Sequence, residues 1–184
     1  MAARRCTIGL DMDFERVLAM IGEHFEATGE PFGVVGALGV AAWGFSRTTF
    51  DVDIVAPSSA QAGLVEFLET AGYRTEHRSA GYSNHVHSDH DLGRVDVVYV
   101  GKETAEAIFA GVEMRPGPGG VQIPVPRAEH LAAMKLYGIK NEPTRVLQDL
   151  EDVRRLLELP GIDRDEIRGY FRRYGLEALL ERLD

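Results

Sequence analysis

Cysteine is almost missing from this chain. Cys6 stands alone among 184 residues, so no disulfide framework within the chain can support a small core. Long hydrophobic runs are missing as well. No segment approaches the roughly 20 apolar residues a membrane-spanning helix needs, and the start of the chain, with Arg4 and Arg5, has no apolar stretch long enough for a signal peptide. These absences predict a cytoplasmic protein with no membrane partner. Positive charge is also scarce: Lys and Arg number 20 against 29 Asp and Glu, giving a formal net charge of −9. Strong autonomous nucleic-acid binding is not what that balance predicts. Arg164, Arg168 and Arg172 recur every four residues and could line one helix face toward an RNA backbone. The alternative for that stripe is a solvated face paired with acids such as Asp165.

The residues that are present suffice for one domain spanning 1–184. Hydrophobic side chains make up 45% of the sequence, enough for a single core, and there is no internal repeat or low-complexity tract. Pro116-Gly117-Pro118-Gly119-Gly120 reads as a turn between two short strands of that domain. The expected order is a helix from Phe14 to Ala27, a strand, a short helix, a strand carrying Asp51 and Asp53, and a helix from Ala60 to Ala71. Strands near Tyr73, Tyr82, Arg94, Val112 and Val121 follow, and four helices end the chain. That order predicts an α+β fold with a mixed sheet flanked by helices and a helical C-terminal portion over 127–184.

The richest stretch is Ser46 to Val55. Asp51-Val52-Asp53-Ile54-Val55 alternates carboxylate with apolar residue, so Val52 and Ile54 can enter a core while both acids share the opposite face. Two carboxylates on one strand face are suited to holding Mg²⁺ against a triphosphate. Upstream, Val34-Val35-Gly36-Ala37-Leu38-Gly39 reads as a buried strand ending in small residues, followed by a short helix from Val40 to Trp43 that Gly44 closes. Small residues at a strand-to-helix turn let backbone N–H groups approach a phosphate. Arg47 and Thr48 sit just ahead of the acids.

Gly36-Ala37-x-Gly39 followed by Gly44-x-x-Arg47-x-Thr49-x-Asp51-x-Asp53 resembles the signature of minimal nucleotidyltransferases, G-[G/S]-x-A then G-x-x-R-x-T-x-D-x-D. Within that superfamily the chain is most similar to the AbiEii-like and MenT-like toxin nucleotidyltransferases, over about Gly33 to Leu157. Ala37 departs from the pattern: a backbone amide survives the change, a side-chain hydroxyl on the phosphate does not. The resemblance implies a nucleotidyltransferase-like fold and transfer of NMP from an NTP, with Mg²⁺ or Mn²⁺, to an acceptor such as tRNA or a protein. It also implies a toxin role with an antitoxin partner.

A third acid on a neighbouring strand is part of the same implication, and Arg94-Val95-Asp96-Val97-Val98-Tyr99-Val100 offers Asp96. Val95, Val97 and Tyr99 share one strand face, and Asp96 lies on the other. Metal ligation is thus expected of Asp51, Asp53 and Asp96, and a triphosphate cradle of Gly36, Ala37 and Gly39. Arg47 and Thr48 are expected beside the nucleotide. Past the proline entry at Pro126, Leu131, Ala132, Lys135 and Ile139 fall on one helical stripe, where Lys135 must either snorkel or meet an anion. The family places a lysine in the matching L-x-x-x-K-L helix, implied to contact phosphates. Arg145 to Asp152 resembles the family's R-x-x-x-D-L-x-D stretch, which carries a supporting role to Asp149 and brings Asp152 into view. The plainer reading is an amphipathic helix burying Val146, Leu150, Val153 and Leu157 with its acids in water.

Two other readings stand beside the transferase. A catalytically silent relative that binds a nucleotide or a protein is what Ala37 would favour. A zinc hydrolase is the other: His85-Val86-His87-Ser88-Asp89-His90 matches the H-x-H-x-D-H signature of metallo-β-lactamase-like hydrolases. Only His130 follows as a further histidine, and the local pattern predicts strands Tyr82 to Ser88 and Arg94 to Val100 joined as a hairpin. His24 and His77 lack any partner pattern and are expected at the surface.

Overall fold

The fold, taken from a computed structural model, is described for residues 12–183; Cys6, Arg4 and Arg5 lie outside them. The chain opens with α1 (Phe14–Thr28), started by the Asp13 carboxylate accepting from the Arg16 N–H and ended by Gly29 in the left-handed conformation. Val17, Leu18, Ile21 and Phe25 form its buried stripe. Five strands make one sheet: β1 (Gly33–Val34), β2 (Asp51–Pro57), β3 (Arg74–Arg78), β4 (Tyr82–Val86) and β5 (Arg94–Val100), in the spatial order β1-β2-β5-β4-β3. Only β2 and β5 are parallel; the other neighbours are antiparallel. The sheet is therefore mixed, and the expected α+β class is the one observed.

The helices are α2 (Gly36–Ala42), α3 (Gln61–Thr70), α4 (Lys102–Phe109), α5 (Ala128–Asn141), α6 (Val146–Leu157), α7 (Arg164–Tyr174) and α8 (Glu177–Leu180). A separate hairpin, β6 (Glu113–Pro116) and β7 (Gln122–Val125), is turned by the expected proline-glycine stretch. Among the described residues no helix is long and apolar enough to cross a membrane.

The structure corrects several expectations. The run Val34 to Gly39 is not one strand: β1 stops at Val34, and α2 begins at Gly36, whose φ of 57° makes the turn. An unbroken apolar run carries no period, so a buried strand and a buried helix look alike in it. The helix α4 was not expected, because it is short, polar and buries only Ala105 and Ile108. In α6 the acids are not in water: Asp149 and Asp152 are buried along with Val153 and Leu156, while Val146, Leu150 and Leu157 are half-buried. His24 is half-buried and stacks on Phe67, whereas His77 is exposed as expected. Arg164 and Arg172 of the arginine stripe are exposed, and Arg168 pairs with Asp165 at 3.1 Å.

Candidate active site

Strand register builds the centre of the site. Asp53 on β2 is the direct partner of Asp96 on β5, and Asp51 lies two residues before Asp53 on the same face. One carboxylate oxygen from each of Asp51, Asp53 and Asp96 can be chosen so that all three lie within 4.8 Å of one another, and no other set of three or more ligating groups converges like this among the described residues. Val52, Ile54, Val95 and Val97, on the alternate positions, are fully buried and pin both strands to the core.

Each outer carboxylate is held by the residue two positions before it, Thr49 in the loop just ahead of β2 and Arg94 on β5. Thr49 Oγ1 donates to Asp51 Oδ1 at 2.5 Å, and Arg94 Nε donates to Asp96 Oδ1 at 2.8 Å. Among the described residues Asp53 has no such partner. Its carboxyl is pushed up to about 6, first by burial and then by the charges of Asp51 and Asp96, with Lys135 and Arg145 offsetting part of the rise. Repulsion among three hard oxygen donors suits a divalent cation such as Mg²⁺ or Mn²⁺, which removes the repulsion on binding.

The turn into α2 closes one side of this trio. A Cβ added at Gly36 would stand 1.9 Å from Asp53 Oδ2. Val35 at the N-cap supplies no side-chain hydrogen bond to the first turn, leaving its early N–H groups without a capping partner. Ala37 is buried, and Gly39 packs inward, where a Cβ would meet the Val34 carbonyl at 2.8 Å and Leu131 at 3.3 Å.

A buried ionic network lies beside the trio. Lys135, only 6% exposed, sits 2.9 Å from both Asp149 Oδ1 and Asp152 Oδ2, and these acids are 1% and 3% exposed. Arg47 reaches Asp152 at 3.3 Å and Arg145 reaches Asp149 at 3.2 Å. In the amide orientation that satisfies both groups, the Gln148 oxygen accepts from Arg47 Nη1 at 2.6 Å. The lysine in the apolar stripe thus meets anions, and α6 is tied to the loop that precedes β2. Thr48 is exposed, and its carbonyl accepts from Arg47 Nη1 at 3.4 Å. The sequence reading assigned no role to Arg94, Arg145 or Gln148, and its nucleotide set took Thr48 rather than Thr49. The i−2 spacing on a strand was the signal available for Arg94, and the i−4 spacing at the start of α6 for Arg145; Thr49, in the loop ahead of β2, had no periodic signal.

Among the described residues the histidines do not assemble a metal site. His85 is fully buried, with Nδ1 at 3.0 Å from Thr75 Oγ1 and Nε2 at 2.8 Å from Ser83 Oγ. His87 Nδ1 accepts from the Asp89 N–H at 2.9 Å, and His90 is exposed. The motif is the end of the β4–β5 hairpin.

The arrangement has the fold of nucleotidyltransferases. The antibiotic-resistance factor ANT(2'')-Ia, in its solution structure, superposes with a TM-score of 0.56 at 17% identity, covering 94% of this chain and 90% of that one. The lincosamide antibiotic adenylyltransferase LnuA, lincomycin-bound, gives 0.55 at 16% identity, over 82% of this chain and 100% of its own. A nucleotidyltransferase-like antigenic protein from Paracoccidioides brasiliensis gives 0.56 at 12% identity, with 92% of each chain covered. No model of a known protein family matches the sequence, and no curated protein matches it.

Proposed function

We propose that this protein is a divalent-metal-dependent nucleotidyltransferase that moves NMP from an NTP to a hydroxyl or phosphate of a macromolecular acceptor, tRNA or protein. The observation that carries the proposal is the convergence of Asp51, Asp53 and Asp96 beside the Gly36 turn. Cations held by these carboxylates would supply neutralisation of charge at the α-phosphate and activation of the acceptor. In the proposed reaction an acceptor oxygen attacks the α-phosphorus, the bond to the β-phosphate oxygen breaks, and pyrophosphate departs. Asp96 would complete the cation site and in that way help to activate the acceptor. The backbone at Gly36, Ala37 and Gly39 receives the phosphates, with Thr48 at the nucleotide's edge. Arg47 and Lys135 offset the negative charge of the triphosphate, and Asp149 holds Lys135 in place. The AbiEii-like and MenT-like motif pattern supports a toxin role with an antitoxin partner. ANT(2'')-Ia with adenylyl-2''-tobramycin and LnuA with lincomycin support small antibiotic acceptors as the competing class.

Pyrophosphate release from each NTP with Mg²⁺ or Mn²⁺ tests the proposal, with and without bulk RNA and cell extract, beside Asp53→Ala. Release that disappears in the variant is the expected result. Release that persists in Asp53→Ala overturns the assignment. Absence of release from the folded protein with every acceptor selects the silent binding module that Ala37 favours.

A further inference from the structure

Granting that a cation is bound by the carboxylate trio, we propose that Arg94 is the positioning residue of that site: by donating to Oδ1 of Asp96 it fixes the rotation of the carboxylate that faces the cation. Arg94 stands two residues before Asp96 on β5, so the strand itself puts both side chains on one face. The contact is a charge-assisted hydrogen bond of 2.8 Å. Asp96 is 8% exposed, whereas the Arg94 side chain is 42% exposed, so the guanidinium reaches in from the solvent side.

Arg94 is also the register partner of Asp51, yet its one ion pair among the described residues is with Asp96. The guanidinium therefore flanks the trio and does not fill its centre. Thr49 does the equivalent for Asp51, donating to Oδ1 from two residues upstream. Two of the three ligands thus have their rotation fixed in advance. Small hard cations demand near-ideal geometry, and a carboxylate free to rotate meets that demand poorly.

Charge argues in the opposite direction. Removing a cation beside three carboxylates deepens their negative field and would tighten metal binding. A guanidinium nearly half exposed is screened, and its field is worth about fivefold or less. Loss of an outer-shell partner of a metal ligand costs roughly 10- to 100-fold in affinity. Orientation should win.

Isothermal titration of Mn²⁺ into the full chain, without nucleotide, tests this with wild type, Arg94→Gln, Arg94→Lys and Asp53→Ala. Asp53→Ala is expected to lose binding, Arg94→Gln to weaken it about tenfold, and Arg94→Lys to recover part of the loss. Circular dichroism melting shows that each variant is folded, and Arg94→Lys keeps a cation in place should the glutamine variant melt early. Equal or tighter binding by folded Arg94→Gln overturns the role of Arg94 and leaves the cation site standing. Wild-type Mn²⁺ binding that is absent or indifferent to Asp53 overturns the cation site and the role of Arg94 together.

Discussion

The backbone of Gly36 lies directly against the carboxylate of Asp53, so that a Cβ at position 36 would stand 1.9 Å from Oδ2 and 2.5 Å from Cγ. Gly36 also has a φ of 57°, a conformation that costs an alanine roughly 1 kcal/mol. Gly36→Ala therefore has two penalties, backbone strain and a displaced Asp53. The expected outcome is a loss of about 1–3 kcal/mol in urea denaturation, with Mn²⁺ binding lost as well. Ala37→Gly, at a position whose backbone is ordinary helix, is expected to keep Mn²⁺ binding.

Asp53 is stored in an unfavourable state at neutral pH. Its folded carboxyl titrates near 6 against an ordinary 3.8, so the folded protein binds this proton more tightly than the unfolded chain. Stability from this group is full below about pH 4, falls as pH rises to about 6, and stays low above that. The gap is worth at most about 3 kcal/mol. Asp53→Asn is expected to be more stable than metal-free wild type at pH 8, with the difference vanishing by pH 4. Thermal melts of both proteins across that range, with chelator present, check it; a constant difference would sink the idea.

The sequence made the alternating strands legible, because period two separates Asp51, Asp53 and Asp96 from Val52, Ile54, Val95 and Val97 without help from the rest of the fold. The amphipathic helix α1 was legible for the same reason at period 3.6. What could not be read was the point where β1 ends, since Val34 to Gly39 has no polar residue to mark a face. Pairing was also hidden: that Asp53 faces Asp96 directly is a fact of register between strands some forty residues apart. The burial of Asp149 and Asp152 was equally out of reach, because it depends on Lys135 arriving from another helix.

Lys135 is the nearest cation to two nearly inaccessible carboxylates, at 2.9 Å from each. Arg47 and Arg145 remain if it is removed, but their side chains are 26% and 53% exposed and stand farther off, at 3.3 and 3.2 Å. Partial compensation from the rim does not replace a contact within the core. Lys135→Ala is expected to cost about 3–5 kcal/mol, read from the urea midpoint. Asp149→Asn should cost less, since Lys135 keeps Asp152.

His85 sits with both ring nitrogens engaged by hydroxyls, Thr75 on one side and Ser83 on the other, and Ser83 continues to the Tyr99 hydroxyl at 2.9 Å. Burial holds its pKa below the usual histidine value, so the ring stays neutral and bonded within the core. A zinc ion on either ring nitrogen would have to displace one of these hydroxyls, at roughly 0.5–1.5 kcal/mol for each hydrogen bond lost. His85→Ala is expected to destabilise by about 2–4 kcal/mol through a cavity and the two lost hydrogen bonds to Thr75 and Ser83. The double substitution His87→Ala with His90→Ala should leave the fold intact. Elemental analysis after zinc loading and dialysis is expected to give the same zinc content for that variant and wild type. A full equivalent of zinc lost with the two histidines would restore the hydrolase reading.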